Sequence, residues 1–329
     1  MALGEAALDD RDLRRQILIV LGEVIPFDFF AWLLTDPVTM VGAAPLAEVP
    51  RVSELPDLIK AKYATSVNRW TVLLRQASPA ALLGEATGGE LARSRIWREV
   101  MSRYSVSDVA SAVFADQYGC WGFLDLWRHR SHGPFDTADA DFLAALTAPL
   151  ARALRLCQAR TFVKPAAAHR YHTGPVPASV YNVAAQLLSA EEGIDDHPAV
   201  TRTHLAGGIW LTLRAARLSS EHESPASAGG GTIVVTIEEA SSADRLDLFG
   251  RAFGFTARER ELLSLLAIGS DTRALARQMS VSEHTIQDHL KAIFVKTGSR
   301  DRITLLSRAL GTRSSDVDDR SAARRRPAP

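Results

Sequence analysis

The strongest constraint on this chain is a series of helix signals between residues 254 and 311. Thr256 and Glu259 have capping-box spacing, so that each side chain can satisfy a backbone N–H where a helix begins. Leucines at helical spacing follow, and Gly269 is placed to end that helix. A second short helix and a tight turn then lead to Ser282, a favourable residue for capping a third helix. Two short helices around a tight turn predict a helix-turn-helix.

The third helix, over residues 282–296, has two chemically different faces on a helical wheel. The face expected to pack inward contains Ile286, Leu290, Ile293, Phe294 and Thr297. The outward face carries Gln287, Asp288 and Lys291, whose side chains can hydrogen-bond to adenine, cytosine and guanine, respectively, in the major groove. These three are therefore the candidate base-reading residues.

Residues suited to contact the DNA backbone lie at the start and on one flank of this helix. Ser282 and Thr285 are near its N-terminus, where the helix dipole favours a phosphate, and Lys296 adds a positive charge further along. Asp288 is the unusual residue of the reading face, because a carboxylate repels phosphates. We expect it to select a base or to reduce affinity. His289 lies at the edge of the apolar face, where we expect it to pack rather than to contact DNA.

These signals together resemble the LuxR-type, or GerE-like, helix-turn-helix in both identity and spacing. The matching residues are Phe255-Thr256-Ala257-Arg258-Glu259, Gly269, Leu275-Ala276, Ser282, Thr285-Ile286, His289 and Lys296. The resemblance implies base contacts by the three outward residues of the third helix and phosphate contacts by Thr285 and Lys296. Gln287 departs from the family pattern, in which a basic residue is usual at that position.

The same resemblance implies a fourth helix and a homodimer. The fourth helix would cover residues 300–310 and would dimerise through Leu305 and Leu306. The all-α helix-turn-helix domain would then occupy residues 254–311 and would bind double-stranded DNA. RNA polymerase is a further candidate partner.

The upstream region has the pattern of a mixed α/β domain. Predicted strands are Phe29–Thr35, Val38–Ala44, Asp108–Asp116 and Cys120–Arg128, and predicted helices cover residues 53–76, 90–101 and 137–160, after one amphipathic helix at the start. This order resembles a GAF sensory domain of the type found in actinobacterial regulators, over residues 8–162. The resemblance implies a small-molecule signal but no identified ligand residue. Aromatic residues such as Trp32 and Trp127 are expected either to line a ligand cavity or to pack in the core.

The middle of the chain is divided by composition. Residues 163–178 are rich in proline and glycine and predict a linker. Residues 179–240 predict one helix and three strands, which resemble part of a PAS domain without its first strands, so that we expect no cofactor there. Residues 241–253 predict a helix that couples sensor and effector. The tail, residues 312–329, is expected to be disordered.

Charge and cysteine content narrow the class of protein. Residues 254–311 carry 9 Lys and Arg against 6 Asp and Glu, whereas residues 1–253 carry 24 against 29, so that the basic excess lies at one end. The two cysteines, Cys120 and Cys157, have neither disulfide nor zinc-site spacing, and no metal site is expected. No apolar run is long enough to span a membrane, so we expect a cytoplasmic protein.

The sequence therefore predicts a multidomain α+β transcriptional regulator that is not an enzyme. It would combine a GAF-like α/β sensor, a small partial PAS-like block and a four-helix DNA-binding domain. One alternative is a sigma-factor-like promoter-recognition protein, although no region for binding core polymerase is recognisable upstream. Another is an enzyme with an accessory helix-turn-helix, although residues 1–253 contain no recognisable catalytic pair, metal cluster or phosphate loop.

Overall fold

The computed structural model describes residues 9–163, 178–205, 209–218 and 231–311, and the chain divides into two compact units. The first unit comprises Met1–Leu154, Arg170–Thr203 and Leu211–Glu238. The second unit comprises Arg155–His169, His204–Trp210 and Glu239–Pro329. Most of the predicted linker, residues 164–177, and the predicted tail, residues 312–329, lie outside the described residues.

The first unit is built on a five-stranded antiparallel sheet. Its strands are β1 (Phe29–Thr35), β2 (Gly42–Glu48), β3 (Ala80–Leu82), β4 (Val106–Asp116) and β5 (Gly119–His129). Their order across the sheet is β2-β1-β5-β4-β3. The predicted hairpin of residues 108–128 is confirmed as β4 and β5. The short edge strand β3 was not predicted, because three residues are too few to show an alternating pattern.

The predicted strand Val38–Ala44 is wrong by several residues, because Asp36 holds the chain in a turn. Its carboxylate accepts hydrogen bonds from the backbone N–H groups of Val38 and Thr39, and its backbone N–H donates to the carbonyl of Val41. An aspartate that binds its own backbone in this way favours a turn over a strand. The strand β2 therefore begins only at Gly42.

Helices cover both faces of the sheet. On one face lie α1 (Asp10–Val24) and the long helix α6 (Thr137–Thr161), and their leucines share a core with Trp32 and Leu124. The other face packs against α2 (Leu55–Tyr63), α3 (Trp70–Leu73) and α7 (Ala178–Glu191). Two short helices, α4 (Leu83–Ala86) and α5 (Arg95–Glu99), complete the unit. Successive residues of β1, such as Trp32 and Leu33, thus enter opposite cores.

The single helix predicted over residues 53–76 is wrong, since the chain forms α2 and α3 with a break between them. Asn68 lies in this break in the left-handed region, with φ of 48°. Helix-unfavourable Thr65, Ser66 and Asn68 occur there together, which explains the interruption. The helix predicted over residues 90–101 is likewise reduced to α5 between two short 3₁₀ turns.

Residues 179–240, expected to form a small block of their own, are divided between the two units. They contain α7 and the strands β6 (Val200–Leu205), β7 (Ile209–Arg217) and β8 (Ile233–Glu239), in the order β6-β7-β8. Within the first unit, Val183 of α7 shares a core with Tyr63 and Phe123. Arg202 also forms a buried ion pair with Asp36, at 2.6 Å. These contacts explain why most of the segment joins the first unit.

The second unit is mainly helical. It contains α8 (Ser242–Ala252), α9 (Ala257–Ala267), α10 (Thr272–Gln278), α11 (Glu283–Thr297) and α12 (Arg302–Leu310). One core joins all five helices and also includes Phe162, just after α6, and Trp210 of β7. Throughout the described ranges, every helix is too short or too polar to cross a membrane.

Candidate nucleic-acid interface

The predicted capping box is confirmed at the start of α9. The Thr256 hydroxyl accepts from the backbone N–H of Glu259 at 3.2 Å, and the Glu259 carboxylate accepts from the backbone N–H of Thr256 at 2.6 Å. Both backbone donors would otherwise lack partners in the first helical turn. Leu262, Leu263 and Leu266 then anchor α9 in the core, so that this helix supports the two that follow.

The next two helices form the predicted helix-turn-helix. Asp271 caps α10 through the backbone N–H of Ala274, and the small residue Ala276 is buried among the helices. The chain turns through Ser280, whose φ of 54° lies in the left-handed region. The backbone N–H of Val281 closes the turn by donating to the carbonyl of Ala276 at 3.0 Å. A turn this tight places α11 immediately after α10.

The helical wheel of α11 is confirmed by its burial. The buried side chains are Ile286, Leu290, Ile293 and Thr297, and Phe294 packs against the same core. Gln287, Asp288 and Lys291 are exposed on the other side. Ser282 caps the helix by accepting from the backbone N–H of Thr285 at 3.1 Å. The polar face of α11 is therefore fixed by the packing of its opposite face.

Asp288 lies between two basic side chains on this exposed face. Its carboxylate is 3.6 Å from the imidazole Nε2 of His284 and 3.6 Å from the ammonium Nζ of Lys291. Lys291 and Asp288 therefore partly neutralise each other in the protein without DNA. The sequence marks Asp288 as unusual, but its pairing with Lys291 was not predicted. The three-residue spacing on a helix is the signal that indicates it.

The contacts of Ser282 and Thr285 limit how they can meet a phosphate. Their hydroxyl oxygens are 2.9 Å apart, so that one hydroxyl donates to the other. Arg273 of α10 was not predicted as a candidate, yet its Nε lies 4.0 Å from the carboxylate of Glu283 in the first turn of α11. Arg273 is thus an exposed cation close to the start of α11. In helix-turn-helix proteins the first helix crosses the DNA backbone. The position of Arg273 on the first helix of the predicted motif could therefore have identified it as a candidate backbone contact.

Lys296 is engaged in the support of α11. Its ammonium donates to the Glu259 carboxylate at 2.6 Å and to the Gly254 carbonyl at 3.0 Å. Burial would raise the pKa of Glu259, but the hydrogen bonds from Lys296 and from the backbone of Thr256 outweigh it and lower this pKa. Two of the three ammonium donors thus tie α11 to the start of α9.

The predicted fourth helix is present as α12, but the burial of Leu305 contradicts its predicted role in dimerisation. Leu305 is fully buried in the core of the second unit, and Leu306 is half-buried against the same core. The exposed apolar residue of α12 is instead Ile303, which is 50 % exposed. Because Leu305 faces its own core, it does not lie on a surface that a second chain could contact.

Comparisons with known proteins agree with this geometry. Residues 254–309 match the GerE family, described as bacterial regulatory proteins of the luxR family. This segment is a LuxR-family helix-turn-helix domain. The match covers the capping box, the turn and the candidate reading face, but less than a fifth of the chain.

Curated proteins that are similar to parts of this chain are named as transcriptional regulators. The chain is 28 % identical over 141 residues to the monoamine regulon transcriptional regulator of Klebsiella aerogenes. The aligned region covers 43 % of this chain and 55 % of that protein. It is 32 % identical over 63 residues to the transcriptional regulatory protein DesR of Bacillus subtilis. This aligned region covers 19 % of this chain and 32 % of DesR. The chain thus spans about half of the first relative and about a third of the second.

Among solved structures, Escherichia coli SdiA is similar over 93 % of each chain, with 11 % identity and a TM-score of 0.32. Similarity at this level does not establish a shared fold for the upstream region. The GAF-like interpretation of residues 8–162 consequently remains a prediction.

Two further features of the first unit concern its tryptophans and a cluster of acidic residues. Trp127 lines a cavity, whereas Trp32 packs in the core on the other face of the sheet. Among the described residues, Asp195, Asp196 and His197 are the group whose ligand atoms lie close enough to hold a metal ion. The Asp195 carboxylate, however, already accepts hydrogen bonds from Arg69 and Thr71. This arrangement is that of a structural ion pair.

Proposed function

We propose that this protein is a DNA-binding transcriptional regulator that reads the major groove with α11. The observation that supports this most directly is the exposed face of Gln287, Asp288 and Lys291 on a helix whose other face is buried. Side chains with both donors and acceptors on such a helix suit base edges. A regulator of this kind acts where the chromosomal DNA is, in the cytoplasm of a bacterium.

In this proposal, the three exposed residues have different roles. Lys291 contacts guanine or a phosphate, and Gln287 pairs with adenine. Asp288 holds Lys291 in place through their 3.6 Å ion pair and disfavours DNA in which its carboxylate finds no donor. The acidic residue thereby contributes selectivity at the expense of affinity.

Contacts to the DNA backbone position the helix. Ser282 and Thr285 lie at the N-terminus of α11, where the helix dipole attracts a phosphate, and Arg273 provides charge nearby. Lys296 has a third ammonium N–H beyond those donated to Glu259 and Gly254. Lys296 contributes to DNA binding either through this third N–H or through the long-range attraction of its charge for phosphates.

We further propose that the protein binds DNA as a homodimer through the exposed side of α12, with Ile303 and the half-buried Leu306 as contact residues. Dimeric helix-turn-helix proteins place their reading helices about one DNA turn apart. A dyad-symmetric binding site is therefore expected.

The upstream unit would act as the sensor in this regulator. The helix α6 begins in the first unit and ends in the second. Within the second unit, Arg155 of α6 donates to the carbonyl of Ala252 in α8 at 3.1 Å. Phe162 stacks on Trp210 at 5.1 Å and meets Phe249 of α8 edge-on at 5.3 Å. A change in α6 would therefore alter the core that supports α8 and the DNA-binding helices.

Selection of DNA from a random library with the purified chain tests this proposal. We expect a dyad-symmetric sequence, weaker base preference in Gln287→Ala and Lys291→Ala, and steep loss of affinity with salt. Lys60→Ala is the matched control, because it removes an exposed lysine from α2 in the first unit. Reading by α11 is refuted if the chain selects no sequence, or if Lys291→Ala behaves like Lys60→Ala.

A further inference from the structure

The strand β8 lies at an edge of the three-stranded sheet, whose order is β6-β7-β8. Two backbone hydrogen bonds, one just beyond each end of β8, fix its register against β7. The N–H of Leu218 donates to the carbonyl of Thr232 at 2.9 Å, and the N–H of Ala240 donates to the carbonyl of Trp210 at 2.8 Å. From the first bond to the second, the chain advances by eight residues along β8 and goes back by eight along β7. The two strands are therefore antiparallel and keep one register.

This register determines which backbone groups of β8 are left at the edge. In an antiparallel pair, alternate residues point their N–H and C=O groups towards the neighbouring strand. Thr232 and Ala240 point theirs towards β7, and so do the even-numbered residues between them. Ile233, Val235 and Ile237 therefore point theirs away from β7. Within the described part of the chain, no other strand lies on this side of β8 to pair with them.

The side chains of β8 do not protect this edge against another strand. Residues 231–239 contain no lysine, arginine or proline, which are the residues that commonly prevent pairing at an exposed edge. All five residues from Ile233 to Ile237 are β-branched, which favours an extended strand. No residue of β8 is buried, and Ile237 is 51 % exposed. An accessible apolar edge of this length is a site at which a further strand can be added.

The charges at the two ends of β8 indicate which strand fits this edge. Glu238 and Glu239 end the strand, whereas its start lies beside Arg217, whose guanidinium donates to the carbonyl of Gly231. Arg217 also pairs with Glu191 at 2.7 Å. If a second copy of β8 adds in the antiparallel direction, its two glutamates lie at the end that holds Arg217. Parallel addition would instead place the glutamates of both copies side by side, where like charges destabilise the pair.

We propose that the edge of β8 is an interface for a second copy of this chain, in which the two β8 strands pair antiparallel about Val235. This centring places Ile233 opposite Ile237 and Val235 opposite itself, so that each opposed pair exchanges two backbone hydrogen bonds. The facing side chains are all apolar and β-branched, which stabilises cross-strand pairs. The interface is separate from the contact proposed for α12 and does not depend on DNA binding. If both contacts form in one closed dimer, they share its two-fold axis.

Cysteine cross-linking of the full-length chain without DNA tests the pairing and its centre. Val235→Cys is expected to form a disulfide-linked dimer with copper phenanthroline as oxidant, because residues opposite each other lie about 5.5 Å apart between Cα atoms, within disulfide range. Ile237→Cys is the matched control, since each Ile237 faces Ile233 and lies roughly 13 Å from the other Ile237. It is expected to remain unlinked. The native Cys120 and Cys157 are buried.

Hydrogen exchange of the wild-type chain tests the same interface without a substitution. As the protein concentration is raised, peptides that cover β8 are expected to gain three protected amides per chain, those of Ile233, Val235 and Ile237. The amides that donate to β7 are expected to be protected at every concentration.

A lysine at the edge is expected to prevent the pairing. Ile237→Lys should reduce the fraction of dimer in sedimentation velocity, because charged side chains block strand addition. Val52→Lys is the matched control, since Val52 is an exposed residue of the first unit outside β8 and is 74 % exposed. It should sediment as the wild type does.

The proposal is overturned if Val235→Cys does not cross-link, if Ile237→Cys cross-links equally well, or if Ile237→Lys dimerises like the wild type. Outward amides that are protected equally at all concentrations would also overturn it, because the edge would then be covered within one chain. Ile303→Lys removes the contact proposed for α12 and is expected to leave the cross-link at Val235 intact. Failure of this interface is therefore distinguishable from failure of the α12 contact and of DNA selection by α11.

Discussion

The substitution Lys296→Met separates two roles that this residue could have. Methionine keeps much of the apolar length of lysine but removes the ammonium that donates to Glu259 and to the Gly254 carbonyl. If Lys296 mainly supports α11, the variant loses stability. If it mainly contacts a phosphate, the variant loses DNA affinity and salt dependence instead.

The size of the stability loss follows from the burial of the two partners. The side chain of Glu259 is 5 % exposed, whereas that of Lys296 is 32 % exposed. Exposed pairs contribute about 0.2 to 1 kcal/mol, and breaking a buried pair costs about 3 to 5 kcal/mol. Since one partner is buried and the other is partly screened by water, we expect a loss of about 2 kcal/mol, between these limits.

Hydrogen exchange measured by mass spectrometry can locate this loss, because it reports opening of individual helices. A loss of about 2 kcal/mol corresponds to roughly thirtyfold faster exchange where the amides exchange through opening of this unit. We expect the increase in peptides from α9 and α11 and not in peptides from β4 and β5 of the first unit. Glu259→Gln should show a smaller loss, because glutamine can still complete the capping box.

The effect of Lys296→Met also depends on pH in a defined direction. The pKa of Glu259 is lowered in the folded protein, so the ion pair stabilises the fold fully at pH values above the ordinary pKa of a glutamate carboxyl. This contribution disappears as the pH falls through the lower pKa of the folded state. Wild type and variant should therefore differ in thermal stability at pH 7 and converge at acidic pH.

A DNA titration completes the comparison. If Lys296 mainly supports α11, the variant keeps the wild-type dependence of log affinity on log salt concentration. If it is a phosphate contact, the slope decreases in magnitude by about 1. Unchanged hydrogen exchange together with a reduced slope would refute the supporting role.

Two further predictions concern the reading face and the core. Asp288→Asn should strengthen binding to non-specific DNA and weaken the distinction between selected and random sequences. The reason is that it removes a charge that repels phosphates and pairs with Lys291. Equal affinities of wild type and variant for non-specific DNA in a fluorescence titration would contradict this. Trp210→Ala should destabilise the second unit by about 3 to 5 kcal/mol, because it removes a buried ring stacked on Phe162. If calorimetry shows that the second unit of the variant unfolds at the wild-type temperature, Trp210 does not stabilise the core of that unit.

The sequence was most informative where local signals determine the structure. The capping box of Thr256 and Glu259, the cap at Ser282 and the apolar stripe of α11 all depend on residues within a few helical turns of one another. Such signals are readable because helix geometry fixes which side chains are neighbours. The division of α11 into a buried face and an exposed face was therefore predicted correctly from the sequence.

Long-range contacts explain most of the differences between the predicted and the observed structure. The ion pair of Asp36 and Arg202 joins residues 166 positions apart, so that no local pattern indicates it. Lys296 and Glu259 are 37 positions apart, and only the folded domain shows that they meet. The error at Leu305 has another cause, because the resemblance indicated a dimerisation helix but not which of its leucines packs inward.

The proposed control of α11 by the upstream unit would act through the packing of the second unit. A helix-turn-helix that folded entirely on its own core would respond weakly to events elsewhere, since its packing would not involve other segments. Here the core also contains Phe162 and Trp210, and Arg245 of α8 lies over the Phe162 ring while donating to the Ala309 carbonyl of α12. Removing or moving Phe162 would therefore expose α8 and disturb the end of α12. Because cores are close-packed, such a shift changes the arrangement of the helices rather than being absorbed locally.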